Sequence, residues 1–229
     1  MRKLSVSMTK AETVTGCIYI IFQLFALPFI VLLADAFFRW NLTLAELNFI
    51  CFAVNFTALT AIYRRYLLDS WKVFTRQPKE VFRSCGLGFV IHFAGSFLVS
   101  YLIVNLDPEF NNVNDNSIGE MIHERAVLMY LGTILLAPVA EEILFRGVVF
   151  GSLYRKWPVL AYILSAAIFS ALHVISYIGS YPAWKLLLCF LQYIPASVAL
   201  AYAYVRADTI FAPILMHIAI NALGTSVMG

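Results

Sequence analysis

Ala140-Glu141-Glu142-Ile143-Leu144-Phe145-Arg146-Gly147 lies inside an otherwise apolar run from Ala126 to Tyr154, and its reading decides what kind of molecule this is. An ionised side chain near the centre of a bilayer costs about 2.5–3.5 kcal/mol on insertion scales, so carboxylates and a guanidinium kept in such a run are rarely idle. At i, i+4 spacing, Glu142 and Arg146 share a helix face and neutralise each other. Glu141 lies about 100° further round and has no partner within its own turn. One carboxylate is thus tied to an arginine and the other is left for chemistry. The structural alternative is an ion-pair cluster that merely holds helices together.

The rest of the chain fits a membrane setting. Of 229 residues, 62% are hydrophobic, and mean hydropathy is +0.82, too apolar for a soluble domain. A bilayer takes about 20 apolar residues per spanning helix, which leaves room for about seven spans with short loops. The expected fold is all-α: one polytopic helical membrane domain over residues 1–229. The net charge of +3 belongs to loops rather than to a basic face, so nucleic acid is not expected as a partner. Cys17, Cys51, Cys85 and Cys189 show no paired spacing and suggest neither a disulfide framework nor a cysteine zinc site. Arg2, Lys3 and Lys10 lead into a long apolar run without an Ala-x-Ala-like cleavage site, which reads as an uncleaved first helix.

In chain order the spans are expected over about 14–38, 44–63, 86–106, 125–154, 158–177, 183–205 and 209–226. Residues 64–83 form a basic, partly amphipathic connection, with Trp71, Val73, Phe74 and Val81 as interfacial anchors. Glu109 to Glu124 is polar, Asn-rich and acidic, and reads as an exposed loop. Pro138, three residues before the glutamate pair, should loosen the backbone there, and Pro195 and Pro213 should bend the last two spans. With the N-terminus inside, all of the sixteen Lys and Arg except Arg39, Arg125 and Lys185 fall on the inner half. The outer side collects Asp35, Glu46, Asp107, Glu109, Asp115, Glu120 and Glu124. The positive-inside rule therefore puts the N-terminus in the cytoplasm and the chain in the inner (cytoplasmic) membrane.

Three polar clusters remain within the spans: Glu141, Glu142 and Arg146; His173; and His217 with Asn221. Counted from the inner ends at about 1.5 Å per residue, they lie at similar depths of about 16–23 Å. A lone intramembrane histidine is ordinarily a satisfied interhelical hydrogen bond. Two histidines, an amide and an unpaired glutamate at one depth suit hydrolysis better. A buried carboxylate can take a proton from water and pass it to a leaving amine. One imidazole can share that water, while the second imidazole and the amide, one helical turn apart, can bind an oxyanion. No Gly-x-Ser-x-Gly elbow is present, and Ser165, Ser170 and Ser176 read as packing residues. His-Glu-x-x-His is absent too, but Glu141, His173 and His217 are the right residue types for a three-ligand catalytic zinc, and the choice between bare water and metal stays open here.

These residues resemble the three signature motifs of the CAAX protease and bacteriocin-processing family of intramembrane proteases, which includes the type II CAAX prenyl endopeptidases. Glu-Glu-x-x-x-Arg appears as residues 141–146, Phe-x-x-x-His as Phe169 to His173, and His-x-x-x-Asn as His217 to Asn221. The resemblance covers Leu131 to about Leu223, with a catalytic core over about 125–225 and the helices of 14–106 peripheral to the site. It implies a glutamate-dependent bacterial membrane protease with Glu141 as general base and His173 helping to hold the water. His217 and Asn221 would form the oxyanion hole, with Glu142, Arg146 and Phe169 in support. It requires no cofactor on this route, while a zinc on Glu141, His173 and His217 is the metal version. The implied substrate is a membrane-associated or lipidated peptide, either CAAX-type or bacteriocin- or pheromone-type. Phe145, Phe150, Phe169 and Tyr154 are candidates for a lipid or peptide groove or for plain interhelical packing. The competing readings are a non-catalytic immunity or regulatory scaffold and a proton-coupled transporter; the latter lacks internal repeats and paired broken helices.

Overall fold

The computed structural model describes residues 4–228, which leaves Arg2 and Lys3 of the charge argument outside the described residues. Helix α1 runs Lys10–Phe38, α2 Leu44–Ile62, α3 Arg64–Arg76, α4 Pro78–Leu106 and α5 Val113–Tyr154. Pro158–Leu172 (α6), Ala183–Ala207 (α7) and Phe211–Thr225 (α8) complete the chain. Five of them, α1, α2, α4, α5 and α7, are long and apolar enough to cross a bilayer, and α6 and α8 are shorter apolar helices of 15 residues each. Among the described residues there is no strand, so the protein is a polytopic helical membrane protein.

Local sequence sets the starts. Thr9 and Thr43 each accept from the backbone N–H three residues on, while Glu12 and Glu46 reach back to the cap, so both helices open on a reciprocal capping box. Asn112 starts α5: its Oδ1 accepts from the N–H of Asn114 at 3.0 Å. Residues 113–124 are therefore helix rather than exposed loop, joined to the rest of α5 across a kink at Arg125. Their polar composition hid a helix whose Val113, Met121 and Ile122 are buried. At the other boundary α6 stops at Leu172, not Tyr177, and His173 already caps it. The third span starts at Pro78, earlier than expected, and Val81 is core rather than an interfacial anchor. Pro213 sits in the first turn of α8, where the missing N–H is harmless. Pro195 is inside α7.

Close approach lets α1 dock. A methyl at Gly16 would collide with Val148 and stand 2.6 Å from the Tyr63 hydroxyl, so only glycine admits α5 here. The main core then lies where α1, α2, α3, α5 and α7 meet, around Tyr63, Tyr66, Leu144, Phe150 and Tyr204. Tyr66 and Tyr204 share a buried hydroxyl–hydroxyl bond of 2.8 Å, and burial pushes the Tyr66 phenol well above its ordinary range, keeping it neutral. Around this core the outer faces are apolar: Phe25, Phe37, Phe82, Phe97 and Ile163 are all exposed, as lipid-facing side chains should be.

Charge separates to two ends. At one, the start of α1, all of α3 and the α7–α8 junction converge: Arg65 pairs with Glu12, Ser5 donates to Asp208 (2.7 Å) and Gln77 to the Ala207 carbonyl (2.8 Å). Here too Trp71 stacks on Phe74 and meets Phe211 edge-on. At the other, Arg125 meets Glu46 at 3.0 Å and Lys185 reaches Asn111.

Candidate active site

Within α5, Glu142 and Arg146 form the expected pair, with Nε 3.1 Å from Oε2 and both side chains fully buried. The second oxygen, Oε1, is 2.8 Å from His217 Nδ1 on α8. A carboxylate can only accept, so the ring donates from Nδ1. Arg146 further donates to the Ser197 carbonyl and hydroxyl, each at 3.2 Å, and its guanidinium carbon lies 4.8 Å from the Phe169 ring centre. Glu142 is thus held at both oxygens, by the Arg146 ion pair and by His217, while Arg146 Nη1 has no hydrogen-bond partner among the described residues. Glu141 differs: its Oε2 has no hydrogen-bond partner among the described residues, and the nearest ring nitrogen, His217 Nε2, is 3.9 Å away.

The backbone explains how Glu141 comes to point elsewhere. Residues Leu131–Leu136 and Ile143–Phe150 are π-helical, flanking the short α-helical turn that carries both glutamates. Such bulges rotate the side chains that follow them and recur at functional sites. Ala137 N–H bonds the Gly132 carbonyl, five residues back. The next bond of that pattern would run from residue 138 to the Thr133 carbonyl, but Pro138 has no N–H to give. The orphaned carbonyl is taken by Asn221 Nδ2 at 2.8 Å. Asn221 thus plugs a gap opened by Pro138, with one amide hydrogen still unspent.

His173 sits where α6 ends. The last carbonyls of a helix lack intrahelical donors, and His173 Nδ1 lies 2.8 Å from the Phe169 oxygen. A carbonyl cannot donate, so this fixes Nδ1–H and leaves Nε2 with the lone pair when the ring is neutral. One face of the ring stacks on Tyr193, with centres 4.2 Å apart. Phe169 packs against His173, His217 and Phe145 as well as Arg146, which makes it a hub between the three motifs.

Glu141, His173, His217 and Asn221 line one cavity of about 810 Å³, while Glu142 and Arg146 lie behind its wall. Phe145 and Phe169 reach the cavity, whereas Phe150 and Tyr154 stack on each other in the core. Ser165 donates to the Phe145 carbonyl, a packing role. Asn48, Phe52, Asn55, His92 and Ser96, from the helices between residues 14 and 106, line the same cavity. Sequence reading also passed over Asp115, Tyr193 and His92, all on the cavity. Only the Asn112-x-x-Asp115 helix-start pattern signalled any of them, and acidic composition masked it. As for metal, no three His, Cys, Asp or Glu side chains among the described residues gather closely enough to hold an ion. The Nδ1 bonds of His217 to Glu142 and of His173 to the Phe169 carbonyl leave Nε2 of each ring as the atom a metal would take.

Residues 123–223 match the family described as Type II CAAX prenyl endopeptidase Rce1-like. The chain is 28% identical over 160 residues to "Putative membrane peptidase YdiL" of Bacillus subtilis (strain 168), which covers 63% of this chain and 60% of that protein. It is 27% identical over 148 residues to "UPF0177 protein YbdI" of Lactococcus lactis subsp. lactis (strain IL1403), covering 61% and 75%. With "UPF0177 protein YxdF" of the same organism it shares 23% over 165 residues, covering 72% and 83%. No solved structure matches. The similarity read from the three motifs is borne out over residues 123–223, where this polytopic membrane protein carries the Rce1-like type II CAAX prenyl endopeptidase pattern.

Proposed function

We propose that the chain is an intramembrane peptidase in which Glu141 activates water. The observation that carries this is the sorting of two adjacent glutamates: Glu142 is spent on Arg146 and His217, and Glu141 faces the cavity with an unpartnered oxygen. Water held between Glu141 and the Nε2 lone pair of His173 gives a proton to the Glu141 carboxylate, and its oxygen attacks the scissile carbonyl carbon. The developing oxyanion accepts from the second Asn221 N–H and from His217 Nε2–H. Because His217 already donates from Nδ1 to Glu142, that second donation needs a hydrogen on both ring nitrogens. Glu141 then hands its proton to the leaving amine as the C–N bond breaks. No cofactor is needed. The substrate class is a membrane-associated or lipidated peptide, and the site is the inner membrane with the N-terminus in the cytoplasm.

The test is cleavage of membrane-anchored and prenylated peptides by purified protein, wild type beside Glu141→Gln, with and without a zinc chelator. Loss of the general base should lower the rate by about 10²–10⁴-fold while thermal unfolding in detergent stays put and chelator changes nothing. A fully active Glu141→Gln sinks the proposal. A protein that cleaves nothing, with both forms giving the same phenotype, supports the scaffold reading instead.

A further inference from the structure

We propose that Tyr193, latched by Asp115 and Asn114 at the start of α5, is a positioning residue that fixes the imidazole plane of His173 and so aims Nε2 into the cavity. This rests on His173 being the water-holding imidazole of the proposed reaction. His173 lies beyond the last residue of α6, and the next long helix begins only at Ala183. Helical register therefore does not hold its side chain. The Nδ1–H bond to the Phe169 carbonyl (2.8 Å) pins one atom, about which a five-membered ring still pivots.

Tyr193 removes that freedom. Its ring stacks on the imidazole at a 4.2 Å centre distance and an angle of 26°, while Phe169 packs from a second side at 4.6 Å. The tyrosine is itself held at its far end. Its hydroxyl donates to Asp115 Oδ1 at 2.8 Å and accepts from Asn114 Nδ2 at 3.0 Å. With only one hydroxyl hydrogen, the shorter bond to Asp115 wins over Asn112 Oδ1 at 3.3 Å. The neighbouring residue is tied to the same turn, since Asn112 Nδ2 donates to Gln192 Oε1 at 2.7 Å. Asp115 is well placed for this duty: in the first turn of α5, the unpaired N–H groups favour a carboxylate. The polar stretch that reads as a surface loop thus anchors the inside of the site. Misplacing a reacting group by about 1 Å costs about 10²-fold in rate, so the clamp should matter to turnover more than to substrate binding.

The experiment compares wild type, Tyr193→Leu, Tyr193→Phe and Asp115→Leu in detergent, reading kcat, KM, thermal midpoint and the ¹⁵N shifts of histidine-labelled protein. The His173 signals are assigned by their loss in His173→Gln. Wild type should show His173 as the Nδ1–H tautomer. Tyr193→Leu frees the ring to swing off the Phe169 carbonyl that sets its tautomer, so it should average the two ring-nitrogen shifts and lower kcat by about 10²-fold with KM within about threefold. Tyr193→Phe keeps the ring and should restore most of kcat and the tautomer, and Asp115→Leu should fall between. A folded Tyr193→Leu with an unchanged tautomer overturns the proposal, whatever its thermal midpoint. So does a loss of activity that Tyr193→Phe fails to rescue. Should the wild type cleave none of the peptides, the tautomer alone decides: averaging in Tyr193→Leu upholds the clamp while the peptidase reading fails.

Discussion

At the scale of single residues, the site is a line of groups that hand interactions from one to the next. Ser197 binds Arg146, Arg146 binds Glu142, Glu142 binds His217, and His217 faces Glu141 across 3.9 Å. Each buried charge has an opposite or a dipole beside it until the last, which meets the cavity. This arrangement separates stability from chemistry. Arg146→Ala strips a fully buried carboxylate of its cation, and breaking such a pair costs about 3–5 kcal/mol. Thermal unfolding in detergent should record that loss, and a variant as stable as wild type would show that Glu142 is satisfied without it. The pairing of Glu142 with Arg146 was legible in the sequence because both lie within one turn of one helix. The bond from His217 was not, since it joins positions 75 residues apart whose approach depends on how α8 packs on α5.

At the scale of elements, α5 matters most, and it is not a uniform helix. Two π-helical stretches bracket the glutamates, and Pro138 leaves the Thr133 carbonyl to Asn221. The sequence carried the proline but not its consequence, because the acceptor of an orphaned carbonyl is chosen by the neighbouring helix. Pro138→Ala restores an N–H and lets α5 relax towards regular α-helix. The stability should hold or rise, a proline inside a helix being unfavourable by about 3 kcal/mol. Activity should fall at least tenfold, because unwinding the bulge turns Glu141 away from the cavity by up to about 100°. Melting temperature and peptide cleavage, measured side by side, check both halves, and an active Pro138→Ala would deny the bulge any role in aiming Glu141. The boundaries of α6 and α5 followed the same logic. His173 ends one helix by capping it with its own ring, and Asn112 starts another inside a stretch whose composition reads as solvent-exposed.

At the scale of the whole molecule, an apolar shell surrounds a largely apolar cavity that carries the polar groups of the site, with α3 at the end where basic residues collect. That end should be cytoplasmic. In a variant freed of Cys17, Cys51, Cys85 and Cys189, a membrane-impermeant thiol reagent should label Lys185→Cys on intact cells. Arg76→Cys should react only after permeabilisation, and the reverse pattern would invert the topology. Composition alone determined that this chain is a bundle of membrane helices, because apolar length is a local property and a bilayer reads it locally. The three motifs and their order were equally local, and so were the candidate residues Glu141, His173, His217 and Asn221. Tertiary structure decided the rest. It alone could show that Glu142 also holds His217, that helices before residue 106 line the cavity, and that Asp115 and Tyr193 stand behind His173. Those facts depend on contacts between distant parts of the chain, set by close packing of helix faces, and no window along the sequence contains them.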